Sequence, residues 1–90
     1  MELSFNLENI DLREFWGVNN KNFRFLETIF PHLELTERSE KLLVCGEEKD
    51  LRDFETFFNN LIIAYENQTY IDEKIIMSVL QQNEYFKNKE

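Results

Sequence analysis

Glycine and proline are almost missing from this sequence, with two of the first and one of the second in 90 residues. A chain so poor in turn formers is not loop-rich or disordered. Cysteine is nearly missing too. Cys45 stands alone, so an internal disulfide is excluded, and a lone thiol in an apolar strand pattern fits a reducing cytoplasm. One histidine, His32, and one cysteine cannot furnish a zinc site of the usual kind. No apolar run approaches the ~18 residues that cross a bilayer, and the N-terminus lacks the basic and apolar regions of a secretory signal. The expectation is therefore a cytoplasmic chain with no membrane partner. Without an export signal, the acceptor pattern Asn67-Gln68-Thr69 reads as chance.

Positive charge is also scarce. Ten Lys and Arg face 18 Asp and Glu, for a net charge of −8. Non-specific attraction to nucleic acid needs clustered cations, so any phosphate binding must rest on charge segregation. The segregation is partial. Between Asp11 and Phe30, the acids Asp11, Glu14 and Glu27 are matched by Arg13, Lys21 and Arg24. The excess acid lies elsewhere, notably in "GEEKDLRDFE".

What the chain does have is aromatic bulk: nine Phe, three Tyr and one Trp, enough to fill the core of one small domain. "LSFNL" alternates Leu3, Phe5 and Leu7 with polar residues, the period of a half-buried strand. Asp11 followed by Glu14 is a capping-box pattern that starts a short helix at Leu12. Gly17 ends that helix. Phe23, Leu26 and Phe30 then recur at helical spacing until Pro31 stops them. "HLELT" and "KLLVC" read as two strands joined across "ERSE", with Gly46 closing the second. From Glu47 the stripe Leu51, Phe54, Phe58, Leu61, Ile62 and Tyr65 predicts a long amphipathic helix with acids crowding its first turn. Thr69 and Asp72 give a second capping-box pattern before a last helix carrying Ile71, Ile75, Ile76, Val79 and Leu80. This order predicts an α+β two-layer sandwich with a three-stranded antiparallel sheet.

The order β-α-α-β-β-α, with a glycine loop between the first two helices, resembles the type I KH domain, here with an extra C-terminal helix. That family has a G-x-x-G loop, with apolar residues three and six positions beyond its second glycine. Gly17, Asn20, Phe23 and Leu26 occupy that spacing, with Asn20 in place of the second glycine. A narrower resemblance spans most of the chain. "FWGVNNKNFRFLETIFPHLELTER" and "KLLVCGEEKDLRDFETFFNNLI" are similar to the N-terminal domain of PhoH-family proteins. Gly17, Asn20, Asn22, Phe30, Pro31, Arg38, Gly46 and Glu47 match its pattern, and Ser39 stands where the family has glycine.

The resemblance implies a KH-like domain over residues 1–82 and a polar tail, 83–90, leading towards an ATPase domain outside this sequence. ATP and Mg would belong to that domain. This chain has no G-x-x-x-x-G-K-[ST] and carries no cofactor by this reading. It implies an accessory, non-catalytic role, with the chain's own ATPase domain as partner and a homo-oligomer formed through the full-length protein.

Two readings of the stretch Gly17–Asn22 stand side by side. It is a helix–helix turn whose asparagines satisfy free N–H groups. Alternatively it clamps the backbone of single-stranded RNA, with Gly17, Val18, Asn19, Asn20, Lys21 and Asn22 around a phosphate and Arg24 and Arg38 nearby. Phe15, Trp16 and Phe25 suit base stacking or, more simply, a core or docking patch. The acids Glu47, Glu48, Asp50 and Asp53 read as a solvated helix start, since the ligand spacing of a calcium loop is missing. Nothing places two carboxylates in an apolar cleft for acid–base work. The choice is therefore between an RNA-binding module and a protein-interaction module that docks on an ATPase domain or between subunits.

Overall fold

A computed structural model of the chain describes the backbone of residues 1–88 and the side chains of residues 1–82. The expected tail, 83–90, lies outside the residues with described side chains. The elements are β1 (Glu2–Asn6), α1 (Leu12–Trp16), a single turn at Val18–Asn20, α2 (Lys21–Ile29), β2 (Glu34–Arg38), β3 (Lys41–Cys45), α3 (Glu48–Gln68) and α4 (Glu73–Asn88). The fold is α+β, as expected: a three-stranded antiparallel sheet in the order β1-β3-β2, with helices packed on one face.

Alternation decides which face is covered. Leu3, Phe5, Leu35, Leu42 and Val44 point toward the helices, because Leu3 and Leu35 both pair with Val44 and Phe5 pairs with Leu42. The opposite face carries Glu2, Ser4, Asn6, Glu34, Thr36, Arg38, Lys41, Leu43 and Cys45. Both ends of β1 are tied down, by Gly46 N–H to the Met1 carbonyl at 3.1 Å and Leu7 N–H to the Glu40 carbonyl at 2.8 Å.

The core is largely a cluster of phenylalanines. Phe54 and Phe58, one turn apart on α3, stack at 5.4 Å, and Phe5 from the sheet meets Phe58 at 4.8 Å. Phe30, at the end of α2, reaches both Phe54 and Phe57. Leu26, Phe54, Phe58 and Leu61 are buried, but Ile62 is only half-buried. Phe57 takes the place expected for it. A 3.6-residue period centres the buried stripe on Phe54 and Leu61, with Phe57 along one edge and Ile62 beyond the other.

Three boundaries differ from the sequence reading. β2 begins at Glu34, two residues later than "HLELT", because the chain first turns around Pro31, with Leu33 N–H on the Phe30 carbonyl at 3.1 Å. The β2–β3 connection is two residues, Ser39 and Glu40, both left-handed with φ of 49° and 61°. Those angles make it a type I′ hairpin turn built without the usual Asn-Gly. At α4 the cap is Asp72, which accepts from Ile75 N–H at 2.9 Å, whereas Thr69 closes α3 at φ 62°. Ile71 therefore precedes α4 rather than belonging to it.

Candidate nucleic-acid interface

The site grows from the end of α1. Asp11 caps this one-turn helix by accepting from Arg13 N–H at 3.0 Å, as its sequence pattern predicts. Phe15 and Trp16 end it, each about 1% exposed, their rings edge to face. Neither is available to stack on a base. Trp16 also packs edge to face on Phe23, and its buried indole N–H has no acceptor among the described residues.

Gly17 follows at φ 79°, ψ 178°, a conformation essentially confined to glycine. The next residues turn sharply. Asn19 and Asn20 are both left-handed, at φ 57° and 56°. Asn is among the residues that tolerate this region best, which is how the turn closes without a second glycine. Asn20 N–H bonds the Gly17 carbonyl at 3.1 Å, and Lys21 N–H bonds the Val18 carbonyl. Those two amides are therefore spent inside the turn. No side chain caps the start of α2, so its remaining first-turn amides depend on solvent or a ligand.

Val18 and Asn19 form a ridge, with Val18 80% exposed. A shallow groove runs on each side. One lies between α1 and the edge strand β2 and includes Arg13, Trp16, Asn20 and Glu37. The other, about 470 Å³, lies along α2 and includes Lys21, Arg24, Phe25 and Glu73. Among the described residues neither Lys21 nor Arg24 is in an ion pair. The first groove thus sets Arg13 against Glu37, and the second sets Lys21 and Arg24 against Glu73.

The expected site residues separate into two groups. Gly17, Val18, Asn19, Asn20, Lys21 and Arg24 come together around the ridge. Asn22 and Arg38 do not join them. Asn22 is 4% exposed and its side-chain amide donates to the Phe15 carbonyl at 2.9 Å and the Ile71 carbonyl at 3.0 Å. It stitches the domain together and is not offered to a phosphate. Arg38 points to the open face of the sheet, away from the helix layer; its neighbour Glu37 lines the groove instead. Arg13 and Glu37 were not among the expected site residues. Glu37 escapes the sequence reading because "HLELT" ends at Thr36, whereas β2 runs on to Arg38.

Cys45, on the open sheet face, donates to a Glu2 carboxylate oxygen at 3.4 Å. That hydrogen bond holds the proton on the thiol and raises its pKa, which disfavours the nucleophilic thiolate. Among the described residues no group of His, Cys, Asp and Glu is placed to hold a metal ion, and no helix is long and apolar enough to cross a membrane. No family model matches the chain. No curated protein and no solved structure matches it either.

Proposed function

We propose that this is a non-catalytic RNA-binding module that holds the backbone of single-stranded RNA at the ridge Val18–Lys21, with Arg24 one turn further along α2. The observation that carries the reading is the tight left-handed turn itself. It presents an exposed ridge directly at a helix start that no side chain caps, flanked by unpaired Lys21 and Arg24. A helix start of this kind attracts anions through its free N–H groups and its dipole. A net charge of −8 opposes the encounter, so binding is weak and falls with salt. The resemblance to PhoH-family proteins supports an accessory role beside an ATPase domain that would itself hold ATP and Mg. The residues here offer no phosphate-binding loop of that type.

The test is an NMR titration with short single-stranded RNA at low salt. Shifts confined to residues Gly17–Arg24 are expected, with a uniform loss across RNA sequences in Lys21→Glu, because a phosphate contact carries no base information. Silence of these resonances at high protein concentration overturns the reading.

One observation favours a second reading, an interaction module. Ile63 is 54% exposed beside Ala64, Ile75 and Val79 in the groove between α3 and α4. These four apolar side chains, set among Asn60, Asn67, Gln68, Ser78 and Gln82, make a mixed surface that suits docking of a neighbouring domain or subunit. A domain that binds no RNA, and whose assembly with the rest of its protein is lost in Ile63→Asp, fits this second reading.

A further inference from the structure

We infer that Asn22 couples the docking of α4 to the conformation of the Gly17–Lys21 turn, so that the two open and close together. Asn22 spends both hydrogens of its amide on carbonyls from distant parts of the chain. The Phe15 carbonyl lies in the last turn of α1, and the Ile71 carbonyl lies just before α4, where helical partners are missing. The same amide nitrogen packs under Gly17: a Cβ built there would stand 3.4 Å from it. Asn22 therefore touches the residue on which the turn pivots and the residue from which α4 starts. Contact continues at the surface, where Glu73 in the first turn of α4 shares a groove with Val18, Asn19 and Lys21.

Undocking α4 would take the Ile71 carbonyl away and leave one Asn22 amide hydrogen without its partner until water or another acceptor replaces it. An Asn22 side chain that follows Ile71 gives up the Phe15 carbonyl, and its contact beneath Gly17 goes with it. A side chain shared in this way would supply the link with two arrangements that coupling between regions requires. It concerns the free protein and goes beyond the RNA-binding reading, since it holds whatever the turn binds. Asn22 is a positioning residue in this scheme, acting through the turn.

The experiment is amide hydrogen exchange followed by NMR on the full chain. Asn20 and Lys21 report on the turn, and Ile75 and Ile76 on the first turn of α4. Ile76 is fully buried in α4, and Val44 is fully buried in the sheet. Ile76→Ala should speed exchange at Asn20 and Lys21 about tenfold, in step with Ile75, within the range typical of coupled sites. Val44→Ala, a cavity of similar kind away from α4, should leave the turn unchanged relative to global unfolding. In an Asn22→Ala background, Ile76→Ala should have no further effect on the turn. If Ile76→Ala does not fold, Val79→Ala makes the same comparison at a less central site of α4. The inference is overturned if the turn ignores loosening of α4, if it responds equally to Val44→Ala, or if its response survives Asn22→Ala.

Discussion

Glu37 and Arg38 are neighbours in β2 whose side chains leave the sheet on opposite faces, and it is the acid that reaches the groove beside Gly17. A carboxylate beside a phosphate path lowers affinity through like-charge repulsion. Glu37→Gln should therefore tighten RNA binding about two- to fivefold, the size of one exposed charge interaction. Arg38→Gln should leave binding unchanged when both are measured by fluorescence anisotropy at one salt concentration. A loss in Arg38→Gln equal to that in Lys21→Glu would return Arg38 to the site.

Gly17→Ala tests the pivot of the turn. Alanine at φ 79°, ψ 178° is strained by about 1–3 kcal/mol, whereas its Cβ would meet the Asn22 amide only at contact distance, 3.4 Å. A clear fall in Tm is expected. Asn20→Gly should do the opposite, relieving the αL position at no steric cost, and a Tm no higher than wild type would count against that assignment.

The hairpin turn is a second place to gain stability. Ser39 and Glu40 adopt the type I′ conformation without the residues that favour it. Ser39→Asn combined with Glu40→Gly should raise stability by about 1 kcal/mol, read as a shift in urea midpoint at constant m-value. The main chain of residue 40 also accepts from Leu7 N–H, and glycine retains that carbonyl.

Phe58 is fully buried and packs against Phe5, Phe15 and Phe54. Phe58→Ala should cost about 3–5 kcal/mol in equilibrium unfolding, a large part of the stability of so small a domain. A cost under about 1 kcal/mol would place the core elsewhere.

Tyr65 is half-buried against Phe15, and its pKa is raised by burial first, then by the charges of Glu14 and Asp11. The unfolded chain therefore loses this proton at a lower pH than the folded one. Stability from Tyr65 is complete below the ordinary tyrosine range and is lost as pH climbs through it toward the raised value. Tyr65→Phe should flatten the alkaline limb of a stability–pH curve measured above about pH 10. An unchanged limb would assign the loss to other groups.

The long-period features were legible in the sequence. The α3 stripe, the Asp11 cap and the alternation of Leu3 and Phe5 each depend on local rules that tertiary contacts reinforce. The misreadings came where local chemistry was atypical. Ser39 and Glu40 carry no turn signature, so "ERSE" reads as a polar connection although its Glu37 and Arg38 belong to β2. That extension matters at the site, because alternation from Leu35 turns Glu37 toward the helices and Arg38 away only if the strand runs on past Thr36. Asn22 sat next to polar neighbours in the sequence, and nothing local reveals that its two acceptors lie in α1 and before α4. Burial of an asparagine by distant carbonyls is a tertiary fact.

The strand order β1-β3-β2 also predicts an order of folding. β2 and β3 meet across a two-residue turn and can pair as soon as both exist, whereas β1 has no partner until Lys41–Cys45 has been made and joined to it. β1 is therefore expected to pair last, with Leu3 and Phe5 lacking their sheet partners until β3 is in place. Its arrival also completes the floor beneath Phe54 and Phe58, so docking of β1 and final closure of the aromatic core are expected to be a single late event.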